Sequence, residues 1–405
     1  MCFSSLFCKV EDSKEQLLGF GRISCPLAFC SVRDLISWFL AVCLASRRPD
    51  VFVVYFIYFY FRSLRAMPPS RSSLGVALGG VVLSFLFVLD CNWCLFVYDA
   101  LFYSPNTLNN NFASKRILLT GASSGLGASI ARQLCTNVPT AHVILVARRK
   151  EKLEEVAKPC LGKVTTVALD VAGNETEAAI ETMINDAGGI DILILNAGKF
   201  IEKQTLEVDT EQTRHIMELN VMANIRIVTA VMKLDRWATK QGGGHIMVTS
   251  SLAGRLGTPV SAAYAAAKHA LHGYFASLRA EMALKQLRVD IVMPGPVDTE
   301  IFAASDRPDN MKSIPLTMPG SLMKTERASR LMLSAMMGKP AFLFRENWVA
   351  RGLSLAVIYL GQYAPNIFGL VSTLLDPAMM SSYHDGQGFG GWGFFARLFR
   401  PDTHT

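Results

Sequence analysis

The chain has 405 residues, enough for two average domains or for one α/β domain of about 250 residues with extensions. Its formal net charge is +7, but the basic residues are scattered and form no long run, which argues against nucleic acid as a partner. Hydrophobic residues make up 51% of the chain and the mean hydropathy is +0.29, both high for a wholly soluble protein. The apolar excess lies before residue 104 and after about residue 350, which favours one central domain with apolar extensions.

The nine cysteines do not indicate a disulfide framework. Seven of them precede the central domain, and only Cys135 and Cys160 lie within it. Cys91 and Cys94 have the spacing of a metal-binding pair, but no second pair or histidine cluster accompanies them. We therefore predict no metal site.

Three apolar runs occur before residue 90, and we interpret the third as a membrane anchor. The runs at 35–45 and 51–61 are short for a span, and the charged gap between them would be costly in hydrocarbon. The run at 74–89 is uncharged and ends at Asp90. The alternative interpretation is a cleaved signal peptide, although no small-residue cleavage site follows the run.

Aromatic residues after this run suit the headgroup level of a membrane, namely Trp93, Tyr98 and Tyr103. Met67 begins a sequence typical of a signal anchor, so residues 1–66 are interpreted as an upstream extension.

From Lys115 onward, strand and helix patterns alternate, which predicts a parallel α/β sheet. The run at 116–120 is the first predicted strand, and a helix is predicted from about 128 to 135. Between them lies the loop GASSGLG, whose glycines permit a tight turn and let backbone N–H groups approach a pyrophosphate. A glycine-rich turn without a ligand is the alternative. The loop residues expected to bind a cofactor are Gly121, Ser123, Ser124, Gly125, Leu126 and Gly127.

The second predicted strand, at 142–149, ends in Arg148 and Arg149. An NAD site usually has an acidic residue at this strand end, where it binds the ribose 2′-hydroxyl. Here Ala147 and two arginines occupy the position, which indicates a 2′-phosphate and hence NADP(H). Two solvated arginines at a helix start are the alternative.

Two further strands are predicted, at 164–171 and 190–198. Ligands of open parallel sheets lie beyond the carboxyl ends of the strands, so polar residues there are candidates for binding. A helix is predicted at 211–234, and Asn220 within it is more typical of a satisfied structural residue than of a catalytic one. The strand-end candidates are Asp170, Val171, Asn196, Ala197 and Gly198.

Ser251 follows the fifth predicted strand, at 245–250, and a helix is predicted at 261–284. Tyr264 and Lys268 are four residues apart in this helix, so their side chains share one face. Lys268 is expected to favour the phenolate of Tyr264, lowering a pKa that is ordinarily about 10. A phenol, an ammonium and a hydroxyl together can transfer a proton. The alternative is a surface helix on which Tyr and Lys are neighbours by chance.

The sixth predicted strand, at 287–301, carries the last cofactor-binding candidates, which are Pro294, Gly295, Val297 and Thr299. Residues 302–324 have no clear period and are predicted to form a mobile lid. A helix at 325–337 and a final strand at 341–345 complete the pattern. The run at 353–375 predicts two short helices that dip into a membrane. A single span is one alternative, and a soluble packing or dimerisation helix is an equal one.

In this order and spacing, the motifs resemble those of the short-chain dehydrogenase/reductase family, over about residues 113–345. The motifs are TGxxxGxG, NAG, Asn220, Ser251, YxxxK and PG followed by Thr299. The runs ARR, KHALHGYFASLR and KTERASRLMLSAM resemble the membrane-anchored group of dehydrogenase/reductase family member seven, which is related to microsomal 11-beta-hydroxysteroid dehydrogenase.

The resemblance implies a role for each motif. Tyr264 would be the general acid or base, Lys268 would lower its pKa and hold the nicotinamide ribose, and Ser251 would bind the substrate oxygen. Asn220 would hold a water that passes protons to Lys268. Asn196, Ala197 and Gly198 would border the cofactor. Asp170 would face the adenine, and Thr299 would contact the carboxamide.

The implied protein is an NADP(H)-dependent carbonyl–alcohol oxidoreductase with one doubly wound Rossmann-type sheet of about seven strands. Its expected partners are a small apolar substrate of steroid, retinoid or lipid type and a membrane, most simply that of the endoplasmic reticulum; a homodimer stays open. A catalytically idle nucleotide-binding scaffold is the alternative. The predicted segments are an extension at 1–66, an anchor and linker at 67–112, the NADP-binding domain at 113–345 and an apolar C-terminal extension at 346–405.

Overall fold

The computed structural model describes residues 92–234, 237, 243–257, 260–285, 287–303, 322–337, 346–350 and 361–362. The predicted anchor at 74–89, most of the predicted lid and most of the C-terminal extension lie outside these residues. Among the helices described, none combines the length and the apolar character that a membrane crossing needs.

One parallel sheet forms the centre of the domain. The strands are β1 (Arg116–Thr120), β2 (His142–Ala147), β3 (Lys163–Ala168), β4 (Ile192–Leu195), β5 (His245–Thr249), β6 (Arg288–Pro294), β7 (Val297–Asp298), β8 (Met323–Lys324) and β9 (Glu346–Val349). Seven of them pair in the order β3-β2-β1-β4-β5-β6-β9, while β7 and β8 pair with each other. The chain moves outward from β1 to β3 and then returns to place β4 beside β1. This reversal is the topological switch point of a doubly wound sheet, so the predicted α/β class is confirmed.

Helices cover both faces of the sheet. They are α1 (Asn92–Phe102), α2 (Pro105–Phe112), α3 (Gly125–Asn137), α4 (Lys150–Ala157), α5 (Thr176–Asp186), α6 (Thr210–Met217), α7 (Ala223–Lys233), α8 (Ala262–Glu281), α9 (Glu300–Ala303) and α10 (Thr325–Met337). Successive side chains of β1 enter opposite clusters: Ile117 and Leu119 pack with α1 to α4 and α10, and Leu118 packs with α5, α7 and α8.

The sequence predicted most elements to within a few residues, with two informative differences. The helix predicted at 211–234 is interrupted by a π-helical turn at Glu218–Met222, which contains Asn220. The seventh strand of the sheet is β9, which begins at Glu346, directly after the predicted strand at 341–345. Residues 341–345 lie outside the described part of the chain, and the sheet thus extends past position 345.

The helix α1 is docked on the domain through two of the aromatic residues that were predicted to suit a membrane interface. Tyr103 donates a hydrogen bond to Gln133 Oε1 at 2.6 Å, and Tyr98 donates one to the carbonyl of Met337 at 3.4 Å. Both rings pack against the core. An amphipathic aromatic side chain suits a protein groove as well as a lipid headgroup layer, so the membrane-interface position of these two tyrosines stays a prediction.

Asp99 fastens α1 to α10. Its side chain is fully buried and pairs with Arg327 and with Arg330, whose Nη2 lies 2.8 Å from Oδ2. Ser334 donates a further hydrogen bond to Oδ1 at 2.8 Å. The guanidinium of Arg330 also stacks over the ring of Tyr103, 4.7 Å from its centroid. A buried carboxylate is tolerated here because two cations and a hydroxyl satisfy it.

Cys135 and Cys160 form a disulfide, which the sequence analysis did not foresee. Cys135 lies in the last turn of α3, and Cys160 lies between α4 and β3. The backbone N–H of Leu161 donates to the carbonyl of Cys135 at 3.1 Å, so these two segments meet although 25 residues separate the cysteines. The bridge therefore closes a loop that includes β2, Arg148, Arg149 and α4.

Candidate active site

The predicted site residues converge at the carboxyl ends of the central strands. Thr120, the last residue of β1, is buried, and its Oγ1 accepts hydrogen bonds from the backbone N–H groups of Asn196 (3.0 Å) and Ala197 (3.1 Å). The side chain of Thr249, at the end of β5, donates to Asn196 Oδ1 at 3.3 Å. One polar chain thus joins the ends of β1, β4 and β5 at the switch point, where ligands of such sheets bind.

At two positions of the glycine loop, only glycine fits, because a Cβ would be too close to neighbouring backbone atoms. Gly121 has φ +67°, and a Cβ there would lie 2.9 Å from the Cα of Ala197. A Cβ on Gly127 would overlap the carbonyl oxygen of Gly121. Ser124 precedes α3 but makes no side-chain capping bond, so the first N–H groups of this helix stay available to an anion.

The two arginines that follow β2 point to different partners. Arg149 Nη2 donates to the hydroxyls of Ser123 (3.2 Å) and Ser124 (2.9 Å), and so faces the glycine loop. Arg148 Nη1 lies 4.0 Å from Asp170 Oδ2, at the edge formed by β3. Val171, beside Asp170, is buried. The sequence could not separate the two arginines, whereas the geometry assigns the loop to Arg149.

Tyr264 and Lys268 lie side by side on α8, and both are buried, with 8% and 5% of their surface exposed. Lys268 Nζ is 5.6 Å from the centroid of the Tyr264 ring and donates to the carbonyl of Thr249 at 2.9 Å. Ser251, which follows β5, hydrogen-bonds Tyr264. The structure therefore brings together the phenol, the ammonium and the hydroxyl.

The acid strengths at this cluster differ from those expected. Burial raises the pKa of Tyr264 to about 12, opposed only by the hydrogen bond with Ser251. Burial also lowers the pKa of Lys268 to about 8. The expected lowering of the tyrosine pKa by Lys268 is thus not found, because desolvation disfavours the charged form of both groups. A neutral phenol at this position can donate a proton.

Asn220 is fully buried in the π-helical turn, and both polar atoms of its amide hydrogen-bond the backbone of Lys199. Its Oδ1 accepts from the Lys199 N–H at 2.8 Å, and its Nδ2 donates to the Lys199 carbonyl at 2.9 Å. A Cβ on Gly198 would lie 2.6 Å from Asn220 Oδ1 and 3.7 Å from Lys268 Nζ. The amide thus holds the segment after β4 close to Lys268.

The turn after β6 brings one of the remaining candidates, Thr299, against the glycine loop. The N–H of Gly295, which follows Pro294, donates to the Val349 carbonyl at 2.9 Å. Val297 is buried in the β7–β8 pair. A Cβ on Gly125 would lie 3.3 Å from the Cβ of Thr299. Thr299 therefore lies against the glycine loop, in position to contact a nucleotide there.

Two groups of residues near the site were missed by the sequence analysis. Lys152 and Glu300 lie beside Arg149, and no motif marks them. Ser250 and His272 form a buried hydrogen bond of 2.9 Å directly behind Ser251 and Lys268. The spacing of Lys268 and His272, four residues apart on one helix, was the signal that could have found the second group.

His272 should make the protein sensitive to acid. Burial and the positive charges of Arg255, His269, Lys268 and Arg279 lower its pKa to about 3, while Nδ1 has no hydrogen-bond partner. The carboxylate of Glu346, 3.8 Å from Nδ1, is itself paired with Arg255 and Arg279. The unfolded chain, with a histidine pKa of about 6.5, therefore binds a proton that the folded chain does not, and stability falls between about pH 6.5 and 3.

Urea unfolding at pH 7 and pH 5 measures this effect. His272→Gln should reduce the difference between the two free energies of unfolding by about 2 kcal/mol, because the proton uptake is removed. The control His215→Gln, at an exposed histidine of α6, should keep the wild-type difference. An unchanged pH dependence in His272→Gln would contradict the prediction.

Comparisons with known proteins agree with this geometry. A family model described as short chain dehydrogenase matches residues 115–310. The chain is 31% identical over 284 residues to hydroxysteroid 11-beta-dehydrogenase 1-like protein A of Xenopus laevis, covering 68% of this chain and 90% of that protein. It is 30% identical over 282 residues to human dehydrogenase/reductase SDR family member 7, covering 67% of this chain and 80% of that protein.

Among solved structures, a short chain dehydrogenase from Burkholderia cenocepacia J2315 in complex with NADP matches with a TM-score of 0.52 at 23% identity. The match covers 72% of this chain and 100% of that chain, and it supports the fold. A doubly wound sheet with a glycine loop and a buried Tyr–Lys pair defines a nucleotide-dependent oxidoreductase class. The chain belongs to the short-chain dehydrogenase/reductase family.

Proposed function

We propose that the protein is an NADP(H)-dependent oxidoreductase that interconverts a carbonyl and an alcohol on a small apolar substrate. The observation that carries the proposal is the contact of Tyr264, Lys268 and Ser251 at the edge of the sheet where the glycine loop lies. No protein side chain supplies a hydride, whereas a nicotinamide does so when bound. The chain has then only to position the substrate and exchange a proton.

The residues present fit NADP(H). The glycine loop leaves space that a Cβ would fill, and the N-terminus of α3 is open to a pyrophosphate. Arg149 would hold the 2′-phosphate together with the hydroxyls of Ser123 and Ser124. Arg148 and Asp170 would border the adenosine end, and Thr299 would contact the carboxamide. Lys268 would bind the nicotinamide ribose.

The proton is exchanged by the chain's own side chains. Tyr264 donates its phenolic proton to the carbonyl oxygen as that oxygen gains negative charge, and takes it back in the reverse direction. Ser251 hydrogen-bonds the same oxygen and fixes the carbonyl beside the phenol. The ammonium of Lys268 stabilises the phenolate that remains. Asn220 holds the segment that contains Gly198 against Lys268, and so keeps the ammonium in place.

The relatives and the apolar segments of the sequence support the substrate class that we propose. One relative is named for a hydroxysteroid, which supports a substrate of steroid, retinoid or lipid type. The uncharged run at 74–89 supports attachment to a membrane, in which such a substrate dissolves. We place the enzyme at the membrane of the endoplasmic reticulum.

Oxidation of NADPH by the full chain in detergent, with a panel of steroid, retinoid and short aliphatic carbonyls, tests the proposal. Turnover of none of them, in either direction, would contradict it.

Arg149→Ala should weaken the binding of NADPH much more than the binding of NADH. Loss of a charge-assisted bond to the phosphate should raise the dissociation constant for NADPH by about 10- to 100-fold and leave that for NADH within about twofold. Fluorescence titration of both nucleotides measures the two constants. Arg132→Ala, at an exposed arginine of α3, is the matched control and should change neither. An equal loss for both nucleotides would remove the case for a 2′-phosphate at Arg149.

A further inference from the structure

Glu300 forms ion pairs with Arg149 and Lys152, the two cations that would face a phosphate in the proposed cofactor site. Its Oε2 is 3.5 Å from Lys152 Nζ and 3.8 Å from Arg149 Nη1. The other terminal nitrogen of Arg149 contacts Ser123 and Ser124. A guanidinium, an ammonium and two hydroxyls are the donors that a phosphate monoester binds, and a carboxylate of the same chain now occupies two of them.

The position of Glu300 in the fold explains how it reaches this place. It follows Thr299, which lies against Gly125 of the glycine loop. Arg149 and Lys152 begin α4 on the other side of that loop. The ion pairs of Glu300 therefore connect the β7–α9 segment to the start of α4, across the glycine loop.

A phosphate and this carboxylate cannot share the two cations without cost. A phosphate monoester carries up to two negative charges, and one negative charge close to another is repelled. The ion pairs of Glu300 are exposed, with 59% of its side chain accessible, so each is weak and exchangeable. A phosphate that binds these two cations therefore competes with the ion pairs of Glu300.

We propose that Glu300 competes with the 2′-phosphate of NADP(H) for Arg149 and Lys152, and thereby sets how strongly the enzyme prefers NADP(H) to NAD(H). Lys152 is, on this proposal, a second cation for the phosphate. The inference rests on the proposed cofactor, but it concerns two residues that the motifs of the sequence do not mark. The proposal predicts that removing the negative charge of Glu300 increases the affinity for a nucleotide that carries a 2′-phosphate.

Titration calorimetry of the full chain with 2′,5′-ADP and 5′-AMP tests the competition without turnover. Glu300→Gln should strengthen the binding of 2′,5′-ADP about two- to fivefold and leave the binding of 5′-AMP unchanged, since the two ligands differ only in the competing 2′-phosphate. Glu154→Gln is the matched control, because it also removes one negative charge, from α4, but Glu154 pairs with Lys150, at 4.0 Å, and with neither Arg149 nor Lys152 in the ion pairs described. It should leave the binding of both ligands unchanged. Lys152→Ala should weaken the binding of 2′,5′-ADP by a similar factor, and Lys150→Ala should weaken it by a smaller one.

Two failures can be told apart. If the wild-type chain binds 2′,5′-ADP no better than 5′-AMP, the assignment of NADP(H) itself falls, and the competition with it. If the wild type prefers 2′,5′-ADP but Glu300→Gln binds it equally or more weakly, only the competition is overturned. A weaker complex in Glu300→Gln would mean that the carboxylate helps to retain the nucleotide.

Discussion

Tyr264→Phe should lower kcat for carbonyl reduction by about 10²- to 10⁴-fold, the usual contribution of a positioned general acid. The phenyl ring keeps the volume and the edge-to-face contact with Phe200, whose ring centroid lies 4.9 Å away, so folding and nucleotide binding should survive. Only the proton donor is lost. Single-turnover oxidation of NADPH with a reactive carbonyl, together with NADPH titration, measures the two effects separately.

Tyr274→Phe is the matched control, because Tyr274 lies on the same helix and is partly buried against the core but is remote from Ser251 in the sequence. It should retain wild-type kcat. Equal rates for wild type and Tyr264→Phe would defeat the proposed proton transfer. If both bind NADPH and neither reduces any carbonyl, the idle scaffold becomes the better description.

Asp99→Ala should cost about 2–4 kcal/mol in the free energy of unfolding. Removing one partner of a buried ion pair leaves the others unpaired, and the cost is moderated here because Arg327 and Arg330 are 38% and 36% exposed. Ser334 also loses its acceptor. Urea unfolding of the full chain in detergent, followed by tryptophan fluorescence, measures the change.

Asp186→Ala, at an exposed aspartate at the end of α5, should cost less than about 0.5 kcal/mol. A change of that size in Asp99→Ala would mean that α1 contributes little to the fold. The docked helix would then be a passive neighbour of α10.

The fold and the main elements of the site were predictable because each depends on a local pattern. The glycine loop is required by close backbone contacts at Gly121 and Gly127, and such positions are visible in a sequence. The period of α8 fixed the common face of Tyr264 and Lys268. Alternation of strands and helices gave the parallel sheet.

The remaining features depend on contacts between distant segments. The pairing of Cys135 with Cys160 requires that α3 and the segment before β3 meet. The different partners of Arg148 and Arg149 depend on which side of β2 each residue faces. The raised pKa of Tyr264 follows from burial, which a motif does not report.

The disulfide makes one segment of the proposed cofactor site sensitive to the redox state of its surroundings. The bridge closes the loop from Cys135 to Cys160, and that loop carries Arg149 and Lys152. Closing a loop of this length removes about 3 kcal/mol of conformational freedom from the unfolded chain in the entropic model. A reducing cytosol would open the bridge and an oxidising lumen would preserve it. The redox state of the compartment would thus set the rigidity of the segment that carries Arg149 and Lys152.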